Sequence, residues 1–120
     1  MLLTPTNEDV PHIAALQRAV EAGFKFMHLR DGHGELAAIY AERRCGYGVV
    51  ENITLRGMDE AVAARFRVED YPHGDPLWRE HGTVEEVITA VLELPPHGSP
   101  GAPNSTHRRG SGLWVPGEGF

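Results

Sequence analysis

A chain of 120 residues, 41% hydrophobic and 23% charged, has the size and composition of one folded domain, which excludes disorder along its whole length. The formal net charge of −6 disfavours general attraction to nucleic-acid phosphates, because long-range repulsion opposes the gain from released counterions. Cys45 is the only cysteine, so no internal disulfide is available, and no run approaches the ~18 apolar residues that a bilayer span needs.

Residues 1–8 carry neither the basic nor the apolar stretch of an export signal, and a cytoplasmic protein is the expectation. Lys25 is the only lysine among abundant arginines, a codon bias that points to a GC-rich bacterial source. Residues 6–23 predict an amphipathic helix. Thr6 or Asn7 can cap it, Glu8 and Asp9 complement the positive end of its dipole, and Pro11 falls early enough to be tolerated. Val10, Ile13, Leu16, Val20 and Phe24 recur at spacings of three and four and define the expected buried stripe, with Gly23 as the stop.

Residues 24–29 are a short β-type run, and Asp31-Gly32-His33-Gly34 is a strong turn signal, so residues 36–44 are expected to return as a second strand. Cys45-Gly46-Tyr47-Gly48 marks another turn. Residues 49–56 then alternate, with Val49, Ile53 and Leu55 on one face and Asn52, Thr54 and Arg56 on the other. Glu51 breaks the pattern by falling on the apolar face, where the expectation is a place at its edge. Three consecutive strands with short connections predict an antiparallel meander, wet on one face and covered by helix on the other.

Beyond Gly57 the pattern is ambiguous. Asp59 can cap a short helix through Ala61, Val62, Ala63 and Ala64, whereas Phe66 and Val68 alternate with Arg65, Arg67 and Glu69 as in a strand; the expectation is a short helix passing into an extended segment. Residues 71–76 are a loop by turn chemistry, and residues 77–81 are expected to make one helical turn that inserts Trp78 into the core. Thr83-Val84-Glu85-Glu86 is a capping box and opens the last helix, whose stripe is Val84, Val87, Ile88, Val91 and Leu92 and whose end is Pro95-Pro96. From residue 95 to residue 120 the chain turns to Gly, Pro, Ser and Asn, and such a segment buries too little surface to offset its ordering entropy. The expected class is therefore α+β: an N-terminal helix, a three-stranded antiparallel meander, a short helix and extended segment, a C-terminal helix, and a disordered tail. Residues 1–94 form the domain in this reading and residues 95–120 the flexible Gly/Pro-rich tail.

Seven histidines invite a search for a metal site, yet no HExxH, no paired CxxC and no i, i+4 histidine pair on a predicted helix is present. His28 and His33 flank one turn, and with His73 they make the alternative ligand set, but scattered surface histidines are the expectation. Cys45 beside Arg43 and Arg44 has the neighbours that lower a thiol pKa, but a small residue at a turn is the expectation. Among the carboxylates Glu35, Glu42 and Glu51, the last requires a partner if buried, and Arg65 or Arg67 is the expected one. Both glycine turns lead into strands rather than helices, which argues against a phosphate cradle. Arg43, Arg44, Arg56, Arg65 and Arg67 are expected on the wet sheet face beside Tyr40 or Tyr47, a pattern of single-strand nucleic-acid platforms that the acidic body disfavours.

No motif names a reaction or a cofactor. The leading expectation is a non-enzymatic binding module, without a cofactor, that holds a protein partner through the sheet face or the tail. Its expected contacts are Arg56, Arg65 and Arg67 on the sheet, with Leu113, Trp114 and Val115 as large apolar side chains in a tail that cannot build its own core. A small-ligand or metal-binding domain is the first alternative, and a nucleic-acid binder the second.

Overall fold

Alternation over residues 36–57 and two tight turns make an antiparallel sheet the cheapest way to pair the backbone and bury one apolar face. The computed structural model describes residues 9–103. It contains α1 (Val10–Glu21), β1 (Lys25–Arg30), β2 (Leu36–Gly46), β3 (Val49–Gly57), β4 (Glu60–Arg67), a 3₁₀ turn (Val68–Asp70), β5 (Trp78–Gly82) and α2 (Val84–Glu93). The class is α+β. The sheet has five strands in the order β1-β2-β3-β4-β5, every neighbour antiparallel, so the expected three-stranded meander is its first part and undercounts it.

The two added strands correct two expectations. Residues 60–67, expected to begin as a helix, pair with β3 throughout, because a helix there would leave the outer hydrogen-bonding edge of β3 unpaired. The alanines that suggested helix are buried on both faces: Ala61 and Ala63 face the helices, while Ala64 and Phe66 are covered from the opposite side, and a strand buried on both faces shows no alternation. The helical turn expected at residues 77–81 is β5, with Trp78 opposite Arg65 and Gly82 opposite Ala61. Trp78 reaches the core as expected, half-buried, but from a strand.

Turn chemistry matches the sequence closely. The Asp31 Oδ1 accepts from the His33 and Glu35 amides at 2.8 and 3.0 Å. In the β2–β3 turn Gly46, Tyr47 and Gly48 all take positive φ, at 76°, 54° and 76°, and Tyr47 is the one non-glycine residue among the described residues to do so.

Helix α2 behaves as its sequence predicts. The Thr83 Oγ1 accepts from the Glu86 amide at 3.1 Å, the Glu86 carboxylate accepts from the Thr83 amide at 2.9 Å, and Val84, Val87, Ile88 and Val91 are buried. Helix α1 is rotated from its expected stripe. Its buried residues are Ala15 and Ala19, whereas Val10 and Val20 are 51% and 58% exposed. Small side chains let α1 lie close against α2, and large residues on that line would hold the helices apart. Two polar contacts lock the pair: the Glu85 amide, one of the free donors of the first turn of α2, donates to His12 Nδ1 at 3.2 Å, and Arg18 donates to Thr89 Oγ1 at 3.0 Å. The expected caps of α1, Thr6 and Asn7, lie outside the described residues.

The main core lies between the sheet and the helices and includes Phe24, Ala41, Ile53, Leu55, Ala63, Val87, Ile88 and Val91. A smaller core on the other sheet face joins Val50, Ala64 and Phe66 under Tyr71, whose ring meets Phe66 edge-on at 5.4 Å. Among the described residues no helix is long and apolar enough to cross a membrane.

Candidate functional site

Strand register gathers the charged groups into cross-strand rows. On the helix side, Arg43 of β2 lies opposite Glu51 of β3, Glu51 opposite Arg65 of β4, and Arg65 opposite Trp78 of β5. Glu51 is fully buried and Arg65 is 3% exposed. The Glu51 Oε2 accepts from Arg65 Nε and Nη2 at 3.0 and 2.6 Å, and Oε1 accepts from Arg43 Nη2 at 2.6 Å, so one carboxylate is shared by two guanidinium groups. Each arginine also reaches the end of a helix. Arg43 Nη1 donates to the Ala22 carbonyl at the C-terminus of α1, and Arg65 Nη1 donates to the Pro95 carbonyl just past α2, at 2.9 and 2.7 Å. Cations there complement the negative ends of both helix dipoles. The row is thus a polar clamp that fixes the helical layer to the sheet.

Glu51 is fully buried rather than at the edge of the apolar face, and Arg65 is its partner. The sequence indicated the placement of Glu51 on that face and its pairing with an arginine, Arg65 or Arg67. It misplaced the arginines: Arg43 and Arg65, expected on the open sheet face, are on the helix side, because the register leaves the odd-numbered residues of these strand segments facing the helices. Burial lowers the Arg43 pKa, but the hydrogen bond and charge of Glu51 outweigh it and hold the guanidinium above its ordinary value. The Arg43 guanidinium also stacks 4.7 Å from the centre of the Phe24 ring.

A pocket of about 310 Å³ opens beside this clamp, lined by Arg43, Cys45, Tyr47, Val49, Glu51, Arg65, Leu94, Pro96 and His97. Pro96 and His97, which the sequence assigned to the tail, border it. Burial, and after it the charge of Glu51, push the Cys45 thiol above its ordinary pKa, with Arg43 offsetting only part of the rise. The arginine neighbours therefore do not bring the thiol below its ordinary value. The rate of Cys45 alkylation by iodoacetamide is expected to titrate with a higher pH midpoint in the native protein than in urea, because burial disfavours the reactive thiolate. An equal or lower native midpoint would contradict this placement.

The opposite sheet face carries the row Met27, Tyr40, Thr54, Val62 and His81, which crosses all five strands. The segment with Tyr71 covers one end of this face, and the Tyr71 hydroxyl donates to the Glu42 carboxylate at 2.9 Å. Burial raises the pKa of Tyr40, partly offset by the Asn52 amide that donates to its hydroxyl at 3.4 Å. Toward β1 the face is open, with Met27 and Leu29 45% and 42% exposed. β1 is also a sheet edge, and five of its six residues are exposed.

The remaining expected contacts are not brought together. Arg56 is exposed at the bulge that ends β3, and Arg67 is half-buried at the end of β4. Leu113, Trp114 and Val115 lie outside the described residues. His28 is exposed on β1, His33 in the first turn and His73 in the loop after the 3₁₀ turn, and among the described residues no group of three or more His, Cys, Asp or Glu side chains is placed to hold a metal. Sequence reasoning passed over Met27 and Leu29: their spacing of two puts them on one face of β1, but that β1 is a sheet edge and that this face is open follow only from the strand order and the burial. No protein-family model, curated protein or solved structure matches this chain.

Proposed function

We propose that the protein is a non-enzymatic binding module that takes up an extended segment of a protein partner along β1. The supporting observation is the exposure of that edge strand together with Met27 and Leu29 on its open face. An added strand would satisfy the outward amides and carbonyls of β1, while Met27 and Leu29 would supply the apolar contacts that choose among sequences. Lys25, His28 and Arg30 are exposed on the same strand, so an acidic segment suits it, and the negative charge of the body disfavours non-selective capture of acidic chains.

The test compares capture from host extract by the full chain, by the double variant Met27→Asp/Leu29→Asp, and by residues 1–103, with circular dichroism confirming each fold. The double variant is expected to lose the captured partner and the shortened chain to keep it. Partner binding should also slow amide hydrogen exchange along β1. Undiminished capture by the double variant would reject the edge as the site, and loss in the shortened chain alone would transfer it to the segment containing Trp114.

A further inference from the structure

β1 ends the sheet, so its outward amides and carbonyls have no strand beside them, an opening that native sheets normally close or blunt. α2 packs on β3, β4 and β5, on the far side of the sheet from this edge. Counted outward from His28, β1 and the residue after it are self-complementary. One step away lie Met27 and Leu29, both apolar; two steps away, Phe26 and Arg30, a ring and a guanidinium; three steps away, Lys25 and Asp31, of opposite charge. Among the described residues Lys25 forms no ion pair, and Asp31 uses only Oδ1, which accepts from two amides of its own turn.

We propose that β1 pairs antiparallel with β1 of a second copy of this chain, about a two-fold axis beside His28. Directly opposed residues of such a pair share a face, so a symmetric pairing is centred on one residue. Centring on His28 sets Met27 against the partner's Leu29, Phe26 against the partner's Arg30 and Lys25 against the partner's Asp31, and the symmetry makes each contact twice. The neighbouring centres fail. Met27 as the centre sets Lys25 against Leu29 and requires Arg30 to meet the buried Phe24, while Leu29 as the centre opposes His28 to Arg30 and Met27 to Asp31. Pairing about His28 joins two sheets into one, with both helical layers on the same side, and closes the β1 edge. The contact is short, so association is weak and reversible. The inference rests on the reading of β1 as an edge that accepts a strand, and the second copy and a partner segment compete for it.

The test is sedimentation velocity of the purified full chain from about 10 μM to about 1 mM, the range in which a small interface associates. Dimer is expected to accumulate toward the upper concentration. Lys25→Glu, which opposes like charges at both ends of the pairing, is expected to weaken the dimer about tenfold or more, and Met27→Asp/Leu29→Asp to abolish it, with circular dichroism confirming each fold. Oxidation reads the register, in chains that also carry Cys45→Ala. His28→Cys places two Cα atoms about 4.5–5.5 Å apart across the axis and is expected to give a disulfide-linked dimer. Lys25→Cys, about 20 Å from its own copy in this register, is expected to give none. A monomer at about 1 mM, an undiminished dimer in Lys25→Glu, or equal cross-linking at positions 25 and 28 would each overturn the proposal. A monomer that still captures a partner through β1 rejects the second copy alone, whereas a dimer whose partner capture survives Met27→Asp/Leu29→Asp rejects the partner reading alone.

Discussion

Glu51→Gln is expected to destabilise the fold by about 3–5 kcal/mol, because it removes the one carboxylate that compensates two guanidinium groups, one of them nearly fully buried. The amide that replaces it offers one acceptor where two were used, and its NH₂ group points donors at donors. A domain of this size has only about 5–15 kcal/mol of stability in total, so the variant should sit near its unfolding threshold at physiological temperature. The effect comes from stranding the arginines rather than from any net strength of the pair. The double variant Glu51→Leu/Arg65→Met, which replaces the buried pair by apolar groups of similar length, is therefore expected to recover most of the loss. Arg43 tolerates this replacement because its side chain is 25% exposed and keeps the Ala22 carbonyl and the Phe24 ring. Urea unfolding of the three proteins checks it, with an unchanged denaturant slope as the control on the denatured state. A loss below about 1 kcal/mol for Glu51→Gln would show that water reaches the clamp.

Ile53→Ala should cost about 2–5 kcal/mol, toward the upper end of what losing a buried branched side chain costs. Ile53 is fully buried in the middle strand, and its cross-strand neighbours are Ala41 on β2 and Ala63 on β4. Alanines have no side chain to swing into the space, so the cavity beneath α2 stays open and the loss includes the cavity as well as the transfer of the removed atoms. Val20→Ala is the matched control. It removes apolar atoms from a residue 58% exposed on α1 and should change stability by no more than about 0.5 kcal/mol. Thermal and urea unfolding of both variants decide the matter, and similar losses at the two sites would mean that the expected stripe of α1 is buried after all.

What the sequence determined without the structure is what depends on neighbours along the chain. The capping box at Thr83 and Glu86, the Asp31 turn, the glycines around Tyr47 and the alternation of β3 each express a local preference that tertiary packing has no cause to override. The placement of Glu51 on an apolar face followed from period-two counting, and its pairing with an arginine followed from the cost of burying a lone charge. The choice of Arg65 and the addition of Arg43 did not, because both depend on which residues the strand register sets side by side.

Tertiary structure alone decided the rest. β4 is a strand because β3 needs a partner on its outer edge, and its burial on both faces erased the alternation by which strands are recognised. β5, at five residues, is too short for any period to show. The buried line of α1 runs along Ala15 and Ala19 because close approach to α2 rewards small side chains, whereas a reading by hydrophobicity selects the large ones. The same limit applies to the pocket. Arg43, Tyr47, Leu94 and His97 come from the second strand, a turn, the end of the last helix and the segment beyond it, and no spacing along the chain announces that these four line one cavity.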